Sequence, residues 1–239
     1  MLLLDKTCES TWADIALDEL LLLDAEAGEA TSEVLRLWHA KQKFIVLGRS
    51  SKAEQEVQLE LARNDGIPVI RRSSGGATVM AAKGCMFYAV LLSLTERPHL
   101  RMLDKAHEFV MGTVLKAVKP LREDVSLDGT CDLVTQNKKV SGNSLRVQRN
   151  WLIYHGTLLI DMDLTDVAKY LKHPPREPEY RGGRGHSEFL ANLDVDPAEL
   201  KLNLSQAWNV DGDYGAIDNR KLERLVEEKY SKDSWNLQR

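Results

Sequence analysis

The run Cys85-Met86-Phe87-Tyr88-Ala89-Val90-Leu91-Leu92-Ser93-Leu94 is apolar at nearly every position. A strand with one wet face would alternate; this one reads as a central strand buried on both faces. Helices must then pack on its sheet, and the chain supplies them. Trp12 to Ala25 places Trp12, Ile15, Ala16, Leu20 and Leu23 at helical spacing, with Glu19 the exception on that stripe. Leu103 to Val118 repeats the pattern through Leu103, Ala106, Val110, Val114, Leu115 and Val118. Gln55–Asn64, closed by Asp65-Gly66, and the later stretches Pro197–Trp208 and Arg220–Lys229 also read as helices.

Further β-prone runs are Val34–Trp38 and Phe44–Gly48 around the polar turn Lys41-Gln42-Lys43. Asp132–Thr135, Lys139–Val147 and Trp151–Ile160 follow, separated by short polar turns as in a meander of hairpins. The class is α/β. No repeat or low-complexity tract interrupts it. With 239 residues the chain reads as a single domain, 1–239.

The formal net charge of −4 argues against a general nucleic-acid binder. No apolar run approaches the length of a membrane span, and Asp5 interrupts Met1-Leu2-Leu3-Leu4. Cys8, Cys85 and Cys131 form no Cys-x-x-Cys pair and no zinc spacing. Their odd count suits a reducing compartment, so a cytoplasmic location is expected. The cations are unevenly placed. Arg71, Arg72, Lys138, Lys139, Arg146, Arg149, Arg181 and Arg184 fall in or near glycine-rich segments, as for one local anionic ligand.

Chemistry concentrates in a few stretches. Ile67-Pro68-Val69-Ile70 leads into Arg71-Arg72-Ser73-Ser74-Gly75-Gly76. Paired glycines let backbone approach a ligand closely, successive exposed N–H groups make an anion-binding concavity, and guanidinium groups suit phosphate or carboxylate. Downstream stand Gly129-Thr130-Cys131-Asp132-Leu133-Val134, Lys138-Lys139-Val140-Ser141-Gly142-Asn143-Ser144 and His155-Gly156-Thr157-Leu158-Leu159. Residues 173–187 hold three prolines and three glycines and read as an irregular connection. It is either a surface linker or a flap over a site, with Arg181 or Arg184 reaching a phosphate.

These stretches, in this order, resemble the lipoate–protein ligase family, within the fold shared by biotin ligases, lipoate ligases and octanoyl transferases. Ala16-Leu17-Asp18-Glu19 and Val46-Leu47-Gly48-Arg49 add weaker likenesses, so the resemblance spans roughly residues 10 to 165. The chain departs from the family pattern twice. Ala77 stands where the loop Arg-Arg-x-Ser-Gly-Gly-Gly has its third glycine, and Cys131 replaces the asparagine of Asn-Asp-Leu.

The resemblance implies a mixed, largely antiparallel sheet flanked by helices. It implies ATP-dependent activation of lipoate or octanoate to an acyl-adenylate, and transfer to a lysine of a lipoyl domain or H-protein-like carrier. In that reading Lys139 is the catalytic lysine, and Asp132 is the carboxylate near nucleotide and Mg²⁺. Arg72 contacts phosphate or the ligand carboxylate, while Ser74, Gly75, Gly76 and Ala77 line the path. Lys138, Ser141, Gly142, His155 and Gly156 complete the binding set. His155 alone reads more readily as a structural group than as a base.

Family ligases often carry a C-terminal accessory domain, and too little chain follows residue 210 to build one. A separate subunit supplies it, or the enzyme works without it. Two other functions compete. In an octanoyl transferase Cys131 would carry the acyl group as a thioester, favoured by nearby Lys138 and Lys139. In a non-catalytic lipoyl-binding module neither Lys139 nor Asp132 would be needed. A biotin ligase is disfavoured by the spacing of residues 71–76.

Overall fold

The structure is a computed structural model that describes residues 1–238. In chain order it begins with β1 (Leu2–Asp5), α1 (Thr11–Glu26), β2 (Val34–His39) and β3 (Phe44–Leu47). Next come α2 (Ala53–Glu56), α3 (Leu59–Asn64), β4 (Val69–Arg71), β5 (Val79–Ala81), β6 (Cys85–Ser93) and α4 (Leu103–Val118). Then follow β7 (Ser126–Asp128), β8 (Asp132–Thr135), β9 (Lys138–Val147), β10 (Trp151–Leu159) and α5 (Thr165–Tyr170). The last elements are α6 (His186–Phe189), α7 (Pro197–Ala207), β11 (Gly212–Asp213), α8 (Asn219–Leu225) and α9 (Asp233–Asn236).

Eight strands form the main sheet, in the order β11-β1-β2-β6-β10-β9-β8-β7. Only β1 pairs in parallel, with β2 and β11; the other pairings are antiparallel. The expected meander is β8-β9-β10. The apolar run is β6, buried throughout its length between β2 and β10. Helices cover both faces. Leu17, Leu20 and Leu21 of α1 and Leu222 of α8 join the core on one face. Val110 and Val114 of α4 and Leu200 and Leu204 of α7 join the core on the other.

Two sequence expectations shift. The strands on either side of Lys41-Gln42-Lys43 enter different sheets: β2 joins the large one, while β3 pairs β4 and β5 in a small one. Phe44 packs its ring face to face near Phe87 and Trp38, so the two sheets meet through aromatic faces. The helix read over Gln55–Asn64 is broken. Val57 is extended at φ −127°, ψ 144° and bridges Leu171, and the Gln58 N–H donates to Tyr170 O. A tertiary bridge overrides the local helical preference there.

Sheet register positions the site. On one face of the large sheet Trp38, Phe87, Thr157 and Gly142 lie in a row. Two residues along, Arg36, Ala89, His155 and Ser144 form the next row. Helix α1 lies over these rows, and the glycine loop between β4 and β5 closes them from the small sheet.

Candidate active site

Two cavities meet at Lys139, Gly142, Thr157, Ala77 and Val79. One runs between α1 and the sheet, with apolar walls from Ile15, Val46 and Phe87, and reaches Asp18 and His155. The other lies under residues 172–190, with apolar walls from Leu159, Met162 and Leu171 and cations Lys172, Arg176 and Arg181 at its margin. Gly142 makes the junction possible: a Cβ there would lie 2.9 Å from Lys139 Cε and 3.1 Å from its Nζ.

Lys139 Nζ pairs with Asp132 Oδ1 at 2.8 Å across the β8–β9 hairpin. Asp132 is buried, and its Oδ2 accepts a hydrogen bond from the Tyr180 hydroxyl at 2.8 Å. An ammonium has three donors, so this pair leaves Lys139 with others to offer.

The glycine loop is held by Arg72. Its Nε donates to Ser74 Oγ and to Gly75 O, each at 3.1 Å, and its Nη2 donates to Gly75 O and, at 3.0 Å, to Ala77 O. Burial pushes the guanidinium down to about 10, which leaves it charged at neutral pH. Gly76 sits at φ +89°, in the left-handed region, and its carbonyl presses on Gly48 where no Cβ could fit.

Behind the loop runs a chain of hydrogen bonds. Ser74 Oγ is 2.5 Å from His155 Nε2, and His155 Nδ1 is 2.7 Å from Asp18 Oδ2. Asp18 Oδ1 accepts from Arg36 Nη1 at 2.6 Å, and Arg36 Nη2 donates to Asp14 Oδ1 at 2.9 Å. Burial alone would raise the Asp18 carboxyl. The charge of Arg36 and the contacts with His155 outweigh burial and hold it below the ordinary carboxylate range.

Of the residues singled out by sequence, Arg72, Ala77, Lys139, Gly142, His155 and Gly156 line the first cavity. Asp132 touches Lys139 from the side, and Ser74 lies one hydrogen bond behind His155. Arg181 lines the second cavity, while Arg184 turns away to donate to Asn137 O and Tyr180 O. Gly75 lends its carbonyl to Arg72 and Ser144. Ser141 is fully buried and accepts from Asn143 Nδ2, and Lys138 lines neither cavity.

Cys131 packs against the core on the opposite face of the sheet and lines neither cavity. Its Sγ donates to Asn143 O at 3.4 Å, and burial, with Asp132 nearby, pushes its thiol up to about 11. The charge-based expectation of a favoured thiolate is thereby reversed. The cluster of cations is also less available than it reads in sequence. Arg71 is fully buried and donates to the carbonyls of Gly48, Ser51 and Asn236, and Arg146 pairs with Glu19.

Sequence reasoning did not single out Asp14, Arg36 or Tyr180. The available signal was a charge inside an apolar strand, Val34-Leu35-Arg36-Leu37-Trp38, opposite a helix carrying Asp14 and Asp18 on its inner face.

Comparison with known proteins gives one answer. The family model of the lipoyl protein ligase A/B catalytic domain matches residues 10–201. A probable lipoate-protein ligase A of Mycoplasma pneumoniae is 31% identical over 234 residues, covering 93% of this chain and 67% of the relative. That of Mycoplasma genitalium is 32% identical over 156 residues, covering 65% of this chain but 45% of the relative. The chain therefore spans about half to two thirds of the length of these relatives. Among solved structures, the bi-partite lipoate protein ligase of Thermoplasma acidophilum superposes with a TM-score of 0.79 at 21% identity, covering 99% of this chain and 95% of that one. A lipoate-protein ligase A bound with ATP gives 0.76 at 22% identity, covering 99% and 97%. At such identities the structures speak for the fold, and the match over residues 10–201 for the family: this chain belongs to the lipoyl protein ligase A/B catalytic-domain family.

Proposed function

We propose that this protein activates lipoate or octanoate with ATP and passes the acyl group to a lysine of a lipoyl carrier domain. The observation that carries this reading is Lys139 at the junction of two cavities, one of them edged by cations of residues 172–181. The cavity between α1 and the sheet, walled by Ile15, Val46 and Phe87, suits the acyl chain. The cation-edged cavity under residues 172–190 suits the nucleotide. The two reactants would thus meet at Lys139. There a carboxylate oxygen of the acid attacks the α-phosphorus of ATP and pyrophosphate leaves. The amine of the acceptor lysine then attacks the acyl carbonyl and AMP leaves.

Lys139 would supply a compact positive charge to the oxygens that gain charge in both steps. The walls of the acyl cavity would shield the mixed anhydride from water. Arg72 would act mainly by holding Gly75 and Ala77 in place. His155 would close the acyl cavity and anchor Ser74.

Among the described residues no cluster of three or more His, Cys, Asp or Glu could hold a metal by itself. Mg²⁺ that arrives on a triphosphate needs one or two carboxylates beside the phosphates. Asp132, next to Lys139, fits that limited role. When bound, the ion would neutralise phosphate charge.

The names of relatives support the same reading. The Thermoplasma acidophilum system pairs a bi-partite ligase with its E2 lipoyl domain. Its subunit 1 is matched over 95% of its length. We include in the proposal a single catalytic domain that works with a separate accessory subunit. No described helix is long and apolar enough to cross a membrane, and a cytoplasmic location is part of the same proposal. A transferase with Cys131 as acyl carrier has no support in this geometry, because the thiol lines neither cavity.

The test is incubation with lipoate or octanoate, ATP and Mg²⁺, followed by mass spectrometry for the acyl-adenylate. Acyl transfer from a thioester donor without ATP, with no adenylate formed from free acid, would overturn the reading.

A further inference from the structure

The carboxylate of Asp132 is shared. Oδ1 faces Lys139 Nζ and Oδ2 takes the Tyr180 hydroxyl, each at 2.8 Å. Tyr180 belongs to a short 3-10 turn, Glu179–Arg181, in the proline- and glycine-rich segment after α5. Several contacts fix its place. Its ring packs on Phe189 with centroids 5.3 Å apart. Its carbonyl accepts from Arg184 Nη2 at 2.7 Å, and the same guanidinium reaches Asn137 O in the β8–β9 turn. On the other side lies Gly129, at φ +58°, where a Cβ would come within 3.3 Å of the tyrosine ring. The next residue, Arg181, is 4% exposed, lines the second cavity, and has an Nη2 with no hydrogen-bond partner.

We propose that Tyr180 is a positioning residue that acts on Lys139 through Asp132. A carboxylate held by one lysine alone can rotate and draw the ammonium into a closer pair. A second donor on Oδ2 fixes the carboxylate plane and takes up part of its charge. Lys139 then stays aimed at the cavity junction with donors to spare. Because Tyr180 adjoins Arg181, the turn that lines the second cavity also sets the lysine. This inference rests on the proposed role of Lys139.

The test is Tyr180→Phe, which keeps the ring against Phe189 and Gly129 and removes only the hydroxyl. Acyl-adenylate formation is followed with wild type alongside. The expected result is a fall in kcat of ~10-fold, with KM for acid and for ATP unchanged, because the lost contact acts on the transition state. In an Asp132→Ala background the same change should alter kcat by less than about two-fold, because the shared partner is gone. An unchanged kcat in the single variant overturns the inference, as does a rise in KM at constant kcat. A further ~10-fold loss in the Asp132→Ala background does so too. A wild type that forms no adenylate from lipoate or octanoate overturns instead the functional reading on which the inference rests.

Discussion

His155 Nδ1 and Asp18 Oδ2 lie 2.7 Å apart, and this contact sets the direction of each hydrogen bond from α1 to the glycine loop. Asp18 is held ionised, so it can only accept. Nδ1 of His155 therefore carries the proton, and in the neutral ring Nε2 accepts from Ser74. The Ser74 oxygen in turn accepts from Arg72 Nε. A buried ion pair between α1 and β2 thereby orders the loop that follows β4 of the small sheet.

Asp18→Asn should break that order and leave Arg36, fully buried, with Asp14 as its one carboxylate partner. Loss of one member of a buried pair costs roughly 3–5 kcal/mol, measurable by denaturant unfolding. The variant should also change the acid limb of stability. The folded-state values of Asp18 and Glu19 are both depressed. Their stabilisation is present above the ordinary carboxylate range, around pH 4, and is lost as pH falls through the lower folded values. Asp14, raised by burial, has the opposite sign and offsets part of the effect. Asp18→Asn should flatten the slope below about pH 4. An identical slope in wild type and variant would show that Asp18 titrates normally.

Lys139→Ala should lower adenylate formation by ~10²–10³-fold, as expected when a donor to a developing anion is lost. From sequence the residue reads as an exposed hairpin end whose removal moves stability little. The ion pair with buried Asp132 alters that expectation. Lys139 is only partly exposed, at 23% of its side chain, and its loss should cost ~1–2 kcal/mol. Lys139→Met, close in length, should be equally inactive. Full activity in either variant would place the chemistry elsewhere.

Arg72→Lys tests whether the loop arginine works as a charge or as a fork. Its hydrogen bonds converge on the Gly75 and Ala77 carbonyls and on Ser74 from one planar group. A lysine keeps the charge but cannot reproduce that geometry. We expect kcat/KM to fall at least ~10-fold. Hydrogen exchange should become faster in residues 72–78. Lysine supporting wild-type turnover would mean that charge alone is required.

The elements legible in sequence are those whose pattern is local. Leu103–Val118 is observed at those bounds, and the β8-β9-β10 meander follows from turn residues between β-prone runs. Strand β1 escapes because Met1–Leu4 is too short to show a period, and its partner β11 is two residues long. Within the site, Lys139 stands in a recognisable stretch. Asp18 stands in the weaker likeness Ala16-Leu17-Asp18-Glu19, but its pairing with Arg36 is not legible there, since the two meet only when α1 crosses β2. Glu19 reads as a polar break in the apolar stripe of α1. In the fold it is buried and accepts from Lys229, Arg146 and the Tyr230 hydroxyl. Tyr180 lies in a segment with no periodicity, and only its landing place on Asp132 gives it meaning.

Cys131→Ser separates the ligase from the transferase. The thiol packs on the far face of the sheet from both cavities and donates to Asn143 O. Burial raises it to about 11, so the thiolate is scarce at neutral pH. A serine hydroxyl can make the same donation with little change in volume. In the ligase the acyl group is already activated as the adenylate, so a nucleophilic side chain adds nothing. Cys131→Ser should therefore keep ATP-dependent turnover within about three-fold of wild type. Intact-mass measurement after incubation with acid, ATP and Mg²⁺ should show no acyl adduct on the peptide that holds Cys131. In a transferase the same change would abolish turnover, because serine is a far weaker nucleophile at neutral pH. A thioester adduct on the wild type, together with an inactive Cys131→Ser protein, would assign the chemistry to the sulfur and require the sheet around Cys131 to open during turnover.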